Sequence, residues 1–168
     1  MKIISKSRQS NFQLIFPKLP VTNSILEDEI YRMNIQNTVL PGFSVMASDI
    51  PMLGKHNFQE TGEIAFDTWT ATFQIDQNWE NYNILYDWCR SVLNGKNVFA
   101  SNRNSYQIMS YLEIYDNWKN KINSFVFHNL WPTEIGSIDL NYSSGEELLS
   151  CDVTFQYDFF EKYIDLYK

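Results

Sequence analysis

The residues able to carry chemistry in this chain are few and scattered. His56 sits beside Lys55 in an irregular stretch, and His128 stands in a strand-like run next to Asn129. Neither has a Cys, Asp or Glu at ligand spacing, so both read as ordinary histidines rather than metal ligands. The densest acid clusters are Glu27-Asp28-Glu29 and Glu146-Glu147. Both read as solvated loop charge, because burying unpaired carboxylates is costly. There is no Gly-x-Ser-x-Gly elbow for a serine nucleophile, no phosphate-cradling glycine loop and no dinucleotide fingerprint. Trp79, Trp88, Trp118 and Trp131, with the many acids, raise the idea of a carbohydrate hydrolase. Trp79 and Trp88 border an apolar helical stripe and read as core; only Trp118 lies in a polar turn. No catalytic, cofactor-binding or metal-binding residue is assigned, no cofactor is expected, and nothing specifies an enzyme.

Cys89 and Cys151 share no metal-like spacing, and each lies on the apolar face of its element. They are expected to be buried free thiols in a reducing compartment. The formal charge of -7 and the pI near 4.7 disfavour a protein that grips nucleic acid by its phosphates. They do not disfavour one past which nucleic acid must slide. Twelve Phe, ten Tyr and five Trp in 168 residues are enough for a sizeable core with aromatics left over for interfaces. Six Gly and five Pro are too few for a disordered chain. The first eight residues lack the apolar run of a secretory leader, and no run reaches membrane-spanning length, so synthesis in a cytosol without a membrane anchor is expected.

The elements that must position these residues are mostly strands. Leu149, Cys151, Val153, Phe155, Tyr157 and Phe159 alternate with Ser150, Asp152, Thr154, Gln156 and Asp158, which predicts one long strand with a dry and a wet face. Ile138, Leu140 and Tyr142 alternate with Ser137, Asp139 and Asn141, and Ser143-Ser144-Gly145 offers a turn, which predicts a closing β-hairpin. Asn11–Phe16, Ile30–Val39, Phe66–Ile75, Tyr106–Tyr115 and Ile122–Leu130 are further predicted strands. Asp76 or Asn78 caps a helix whose stripe is Trp79, Tyr82, Leu85, Tyr86, Cys89, Val92 and Leu93, with Asn94-Gly95 at its end. Residues 42–64, punctuated by Ile50-Pro51, Gly54 and Gly62, read as a long loop or loose hairpin and as the best candidate for an assembly element. The whole chain, 1–168, is expected to be a single domain. Its N-terminal arm would be 1–10, its long loop 42–64 and its C-terminal extension 161–168. The fold class is mainly β, antiparallel and sandwich- or barrel-like, with one flanking α-helix.

Three blocks carry a family resemblance. Phe66-Asp67-x-Trp69-Thr70-x-Thr72-Phe73, then Asp76 and a helix ending Tyr86-Asp87-Trp88, form the first. Leu130-Trp131-Pro132-Thr133-x-Ile135-Gly136-x-Ile138-x-Leu140, followed by a final strand ending Tyr157-Asp158-Phe159-Phe160, form the second. The third is Thr38-Val39-Leu40-Pro41-Gly42 with Ile50-Pro51. Their order and spacing, from about Asn11 to Phe160, resemble the tail tube proteins of contractile-tailed bacteriophages. That fold is shared with type VI secretion and contractile-injection tube proteins.

The resemblance implies a structural subunit of hexameric rings that stack into a conduit for DNA ejection. The implied partners are the chain itself, tail sheath and baseplate proteins, and double-stranded DNA passing without specific binding. The implied place is the virion tail, assembled in the host cytoplasm. Two departures, the 161–168 extension and the Pro17–Ile30 insert, keep open a baseplate tube-initiator or tail-terminator ring. A small-molecule-binding β-barrel is the reading of another class. For stacking between rings, the long loop offers Met46, Ile50, Pro51, Met52, Leu53 and His56. For the lumen, Glu113, Asp139, Asp152 and Asp158 are candidates, because each sits on a polar parity or at a strand end.

Overall fold

The computed structural model describes residues 10–17, 19–20, 33, 35–52, 55–93, 102–142 and 148–163. The arm before Ser10, the Glu27-Asp28-Glu29 cluster, the Asn94-Gly95 cap, the Ser143–Glu147 turn and residues 164–168 lie outside them.

Among the described residues, nine strands and two helices follow in order: β1 (Phe12–Ile15), β2 (Ile35–Thr38), β3 (Phe43–Met52), β4 (Lys55–Phe66), β5 (Trp69–Gln74), α1 (Glu80–Ser91), α2 (Arg103–Tyr106), β6 (Ile108–Tyr115), β7 (Lys121–Ile135), β8 (Ser150–Gln156) and β9 (Phe159–Tyr163). All pairings are antiparallel. The fold is therefore a mainly antiparallel β-sandwich with flanking helices.

β7 is the organising strand. Up to Leu130 it pairs with β6 on one side and β9 on the other; from Trp131 to Ile135 it pairs with β8. One sheet thus runs β1-β6-β7-β9, and the other runs β7-β8-β5-β2. Asn129, at the crossing, has φ 57°, and such single left-handed residues turn a strand where Asn is tolerated.

The two sheets meet over aromatic rings. Trp69 of β5 stacks on Phe127 of β7 at 4.5 Å and 5°. Phe155 of β8 packs against Trp69, Phe73, Phe16 and Trp88. These alternate residues are buried because the period of two sends them to the same face. The interior is packed by these rings, which argues against a hollow barrel for a small ligand.

α1 closes one flank. Asp76 Oδ1 accepts from Glu80 N at 2.8 Å and Oδ2 from Asn81 N at 3.3 Å, so Asp76 satisfies first-turn donors as expected. Its buried face is Asn81, Leu85 and Trp88. Trp79 and Cys89 are only half-buried, a correction to the stripe read from spacing. The stripe shifts because Trp88 reaches the inter-sheet rings and donates to the Tyr106 carbonyl at 2.7 Å. Buried Asn81 is fully used: its Nδ2 donates to Gln74 O at 2.7 Å and its Oδ1 accepts from Tyr82 N at 2.8 Å.

Three further expectations change. Ile138–Tyr142 is not a strand; the arm paired with β8 is Trp131–Ile135, and the ladder ends where Gly136 N donates to Asp152 O at 2.7 Å. Alternation without a partner strand is not enough to hold extended structure. The long strand predicted to Phe159 breaks at Tyr157-Asp158 and resumes as β9, which takes in Glu161 to Tyr163 of the presumed extension. Of the loop and the loose hairpin expected at 42–64, the structure has the hairpin, with 43–52 and 55–64 in two long paired strands.

Candidate assembly surfaces

β3 and β4 form a two-stranded ribbon of their own, apart from the main sheets. It closes with Pro51 opposite His56 and Met52 opposite Lys55. At its base Asp67 N donates to Gly42 O at 3.1 Å, and Phe43 and Phe66 reach Phe160 at 6.1 and 5.4 Å. A Cβ at Gly42 would stand 2.7 Å from Oδ2 of the exposed Asp67, which would have to turn aside to admit it. Midway, the register shifts between Val45 and Ala47 opposite Gly62, whose φ of 78° a side chain would strain. Thr61 Oγ1 donates to Met46 O at 3.0 Å beside this bulge.

Beyond its base the described side chains of the ribbon are wet. Every side chain from Phe43 to Asp49 and from Thr61 to Ile64 is exposed, and so is Phe58. Phe43 lies opposite Phe66 and Val45 opposite Ile64, so a cross-strand apolar face stands in solvent. A lone two-stranded ribbon is marginal in water, and an apolar one needs cover. Of the stacking candidates, Met46 is an exposed ribbon residue. Ile50, Pro51, Met52 and His56 lie at the ribbon's distal end by register. Leu53 lies outside the described residues. Phe43, Val45, Phe58 and Ile64 were missed; the alternation of Phe43 and Val45 was the available signal.

The second surface is the outer face of the β7-β8-β5-β2 sheet. Register pairs Thr70 with Thr154, Thr72 with Asp152, Gln74 with Ser150 and Asn37 with Thr72. Gln156 and Glu134 share this face. All of these are exposed or half-buried, and none is basic. Asp152, a lumen candidate, accepts from the Thr72 hydroxyl at 2.6 Å.

The other lumen candidates are elsewhere. Glu113 lies on β6 in the opposite sheet, where it accepts from Lys121 at 3.2 Å and from the Tyr115 hydroxyl at 2.5 Å. Glu113 and Asp152 therefore face opposite sides of the sandwich. Asp158 is drawn to the corner between β8 and β9, where it accepts from Asn129 Nδ2 at 2.6 Å. Asp139 lies beyond the end of β7 in the irregular segment after Gly136.

The remaining reactive groups are quiet. Burial, with Asp152 alongside, pushes the Cys151 thiol up, and burial raises Cys89 against the opposing charge of Arg90. Both are free thiols, Cys151 buried as expected and Cys89 half-buried. His128 stacks on Phe159 at 4.3 Å and places Nε2 3.0 Å from Glu161 Oε1, tying β9 to β7. Among the described residues, no three His, Cys, Asp or Glu side chains are grouped to hold a metal ion. No described helix is long and apolar enough to cross a membrane.

Comparison with known proteins identifies a family and a shared fold. The family model "Phage tail tube protein" matches residues 7–163. Tail tube protein gp19 of Enterobacteria phage T6 is 24% identical over 127 residues, covering 74% of this chain and 77% of its own. A chain from the sheath/tube terminator of PVC, an extracellular contractile injection system, superposes with a TM-score of 0.72 at 10% identity, covering 97% of this chain and all of that one. A chain from the tube-terminating cap of the anti-feeding prophage gives 0.69 at 10% identity, covering 97% and 94%. Hcp1 of E. coli EAEC 042 gives 0.55 at 10% identity, covering 93% and 92%. At such identities the structural likeness shows the fold.

Proposed function

We propose, from the premise that this chain belongs to the phage tail tube protein family, that it forms hexameric rings which stack into a tube for DNA ejection. Homologues of this kind are structural virion components, and the same fold occurs in contractile-injection tubes. The observation that carries the ring-and-stack reading is the apolar face of the β3–β4 ribbon, left in water by a single chain. Neighbouring copies supply the missing cover. The distal end, with Ile50, Pro51, Met52 and His56, reaches furthest from the sandwich and makes contacts between rings, with Met46 nearer the base. Among the described strands β2 lies at the edge of its sheet, where another copy would pair.

The bore is lined by the outer face of the β7-β8-β5-β2 sheet. Its Thr and Gln side chains, with Asp152 and Glu134 as carboxylates, offer water and weak repulsion but no cation to hold a phosphate. Glu113, on the other sheet, then faces away from the DNA, toward neighbouring copies or the sheath. Asp158 serves the corner rather than the bore. The chain needs no catalytic group for this role. Assembly takes place in the host cytoplasm before the tail is complete.

Sedimentation of the purified chain tests the ring. A species of six times the 19.9 kDa chain is expected, growing to larger stacks with concentration. A single species of one chain mass at every concentration would contradict it. Counting copies per tail separates the repeating tube subunit from a single baseplate or terminator ring.

A further inference from the structure

An exposed apolar surface adjoins each end of β5. At its entry end stands the ribbon, since β3 follows β2 and β4 precedes β5. Thr38 opposite Ala71 and Phe43 opposite Phe66 keep one register across the join. The near half of the ribbon shows Phe43, Val45 and Ile64, each more than half exposed. At the exit end of β5 the chain passes through Asp76 into α1.

α1 carries more apolar surface than the sandwich uses. Asn81, Leu85 and Trp88 are its buried residues. Beside them Trp79, Tyr82, Tyr86 and Cys89 recur at three-to-four spacing and are half-buried or exposed. Trp79 meets Tyr82 edge to face at 5.4 Å, and Tyr82 stacks on Tyr86 at 6.4 Å. Trp79 and Tyr82 pack against the core, while Tyr86 is 47% exposed. Rings already held against one another lose little freedom when they are covered.

We infer that the near half of the ribbon of one copy packs on this flank of α1 in a copy of the adjacent ring. The inference rests on the tube reading above and names the surface that receives the ribbon. Three observations support the choice of a second copy. First, the two surfaces of one chain are held apart. The Tyr157 hydroxyl donates to Asp67 O at 2.6 Å and fixes the ribbon's base at the entry end of β5. α1 leaves from the exit end, and β5 between them keeps an unshifted register with β8 from Trp69 to Gln74. Second, the charges are complementary. The described side chains of the ribbon include the carboxylates Asp49 and Glu63 and no cation. On α1, Arg90 lies one turn beyond Tyr86 and beside it, while Glu80 and Asp87 lie further round the helix. Third, a contact between two different surfaces at opposite ends repeats head to tail and gives an open-ended stack, whereas a self-complementary patch would stop at a pair.

The test uses the full-length chain and reads the concentration at which tubes appear by light scattering and electron microscopy. Tyr86→Ala and Val45→Asp are each expected to raise that concentration at least about ten-fold, the scale of losing an interface anchor. Ring mass and thermal midpoint stay at the parental values, since both side chains are exposed. Tyr86→Phe keeps most of the assembly. Arg90→Glu and Glu63→Arg each weaken stacking, and the double exchange recovers it. Tubes at the parental concentration in Tyr86→Ala would overturn the contact and leave the tube reading standing. So would a double exchange no better than either single change, or normal tubes from Tyr86→Ala that had lost only their sheath. A parental chain that forms no rings at all would instead overturn the tube reading, and this contact with it.

Discussion

Asn129 Nδ2 and Asp158 Oδ2 meet at 2.6 Å, at the corner where both β7 and the β8–β9 segment pass from one sheet to the other. The main chain repeats the link, with Asp158 N donating to His128 O at 3.0 Å. One pair of side chains thus joins the two halves of the sandwich, and it gives the exposed Asp158 a structural partner at the corner.

Asp158→Ala should therefore lower stability by about 1 kcal/mol, a charge-assisted bond discounted for its exposure. Asn129→Gly should cost about as much, because it removes the same bond while its φ of 57° suits glycine, and Asn129→Val should cost about 1–3 kcal/mol more in backbone strain. Urea denaturation of the three variants checks the order.

Leu85 of α1 is completely buried against the sheets. Leu85→Ala should cost about 2–5 kcal/mol, as large-to-small changes in packed cores do. By contrast Tyr86→Ala, on the exposed side of the same helix, should change stability by less than about 0.5 kcal/mol. Equal effects in chemical denaturation would show that the helix packs by another face.

The Tyr157 hydroxyl donates to Asp67 O at 2.6 Å at the base of the ribbon, and burial, with Asp67 nearby, pushes its pKa up to about 12. A raised pKa means the folded chain holds this proton more tightly than the unfolded chain. The stabilisation is complete below about pH 10 and fades as pH rises from there through about 12. Tyr157→Phe should cost about 1–3 kcal/mol at neutral pH by leaving that carbonyl without its donor. The variant should also flatten the alkaline arm of a stability–pH curve.

Deleting Met52 to Gln59 shortens the β3–β4 ribbon without touching the sandwich core. Circular dichroism should remain native while tube growth is lost. Tubes of normal length from this variant would show that the ribbon's far end does not stack rings.

The core was legible because period-two alternation and burial coincide: Trp69, Ala71 and Phe73, and Cys151, Val153 and Phe155, lie where their parity puts them. The helix was legible from Asp76, which takes its first N–H groups although Trp79 holds the N-cap position, and Leu85 of the predicted stripe is buried, but spacing alone cannot tell that Trp88 rather than Cys89 reaches the inter-sheet rings. The ribbon was hidden for a different reason. Strand signals fade when no face is buried within the chain, so Pro51, Gly62 and a bulge read as a loop or at most a loose hairpin. The arm at Ile138–Tyr142 failed the opposite way, with good alternation but no partner among the described strands. Lumen candidates were scattered because parity separates wet from dry but not one outer sheet from the other, so Glu113 and Asp152 looked alike.

Cryo-electron microscopy of the concentrated, purified chain tests the central claim most directly. Sixfold rings stacked into tubes are expected, with the ribbon between copies and Thr72 and Asp152 on the wall of the bore. A monodisperse single chain at all concentrations, with no tube in any field, would contradict it.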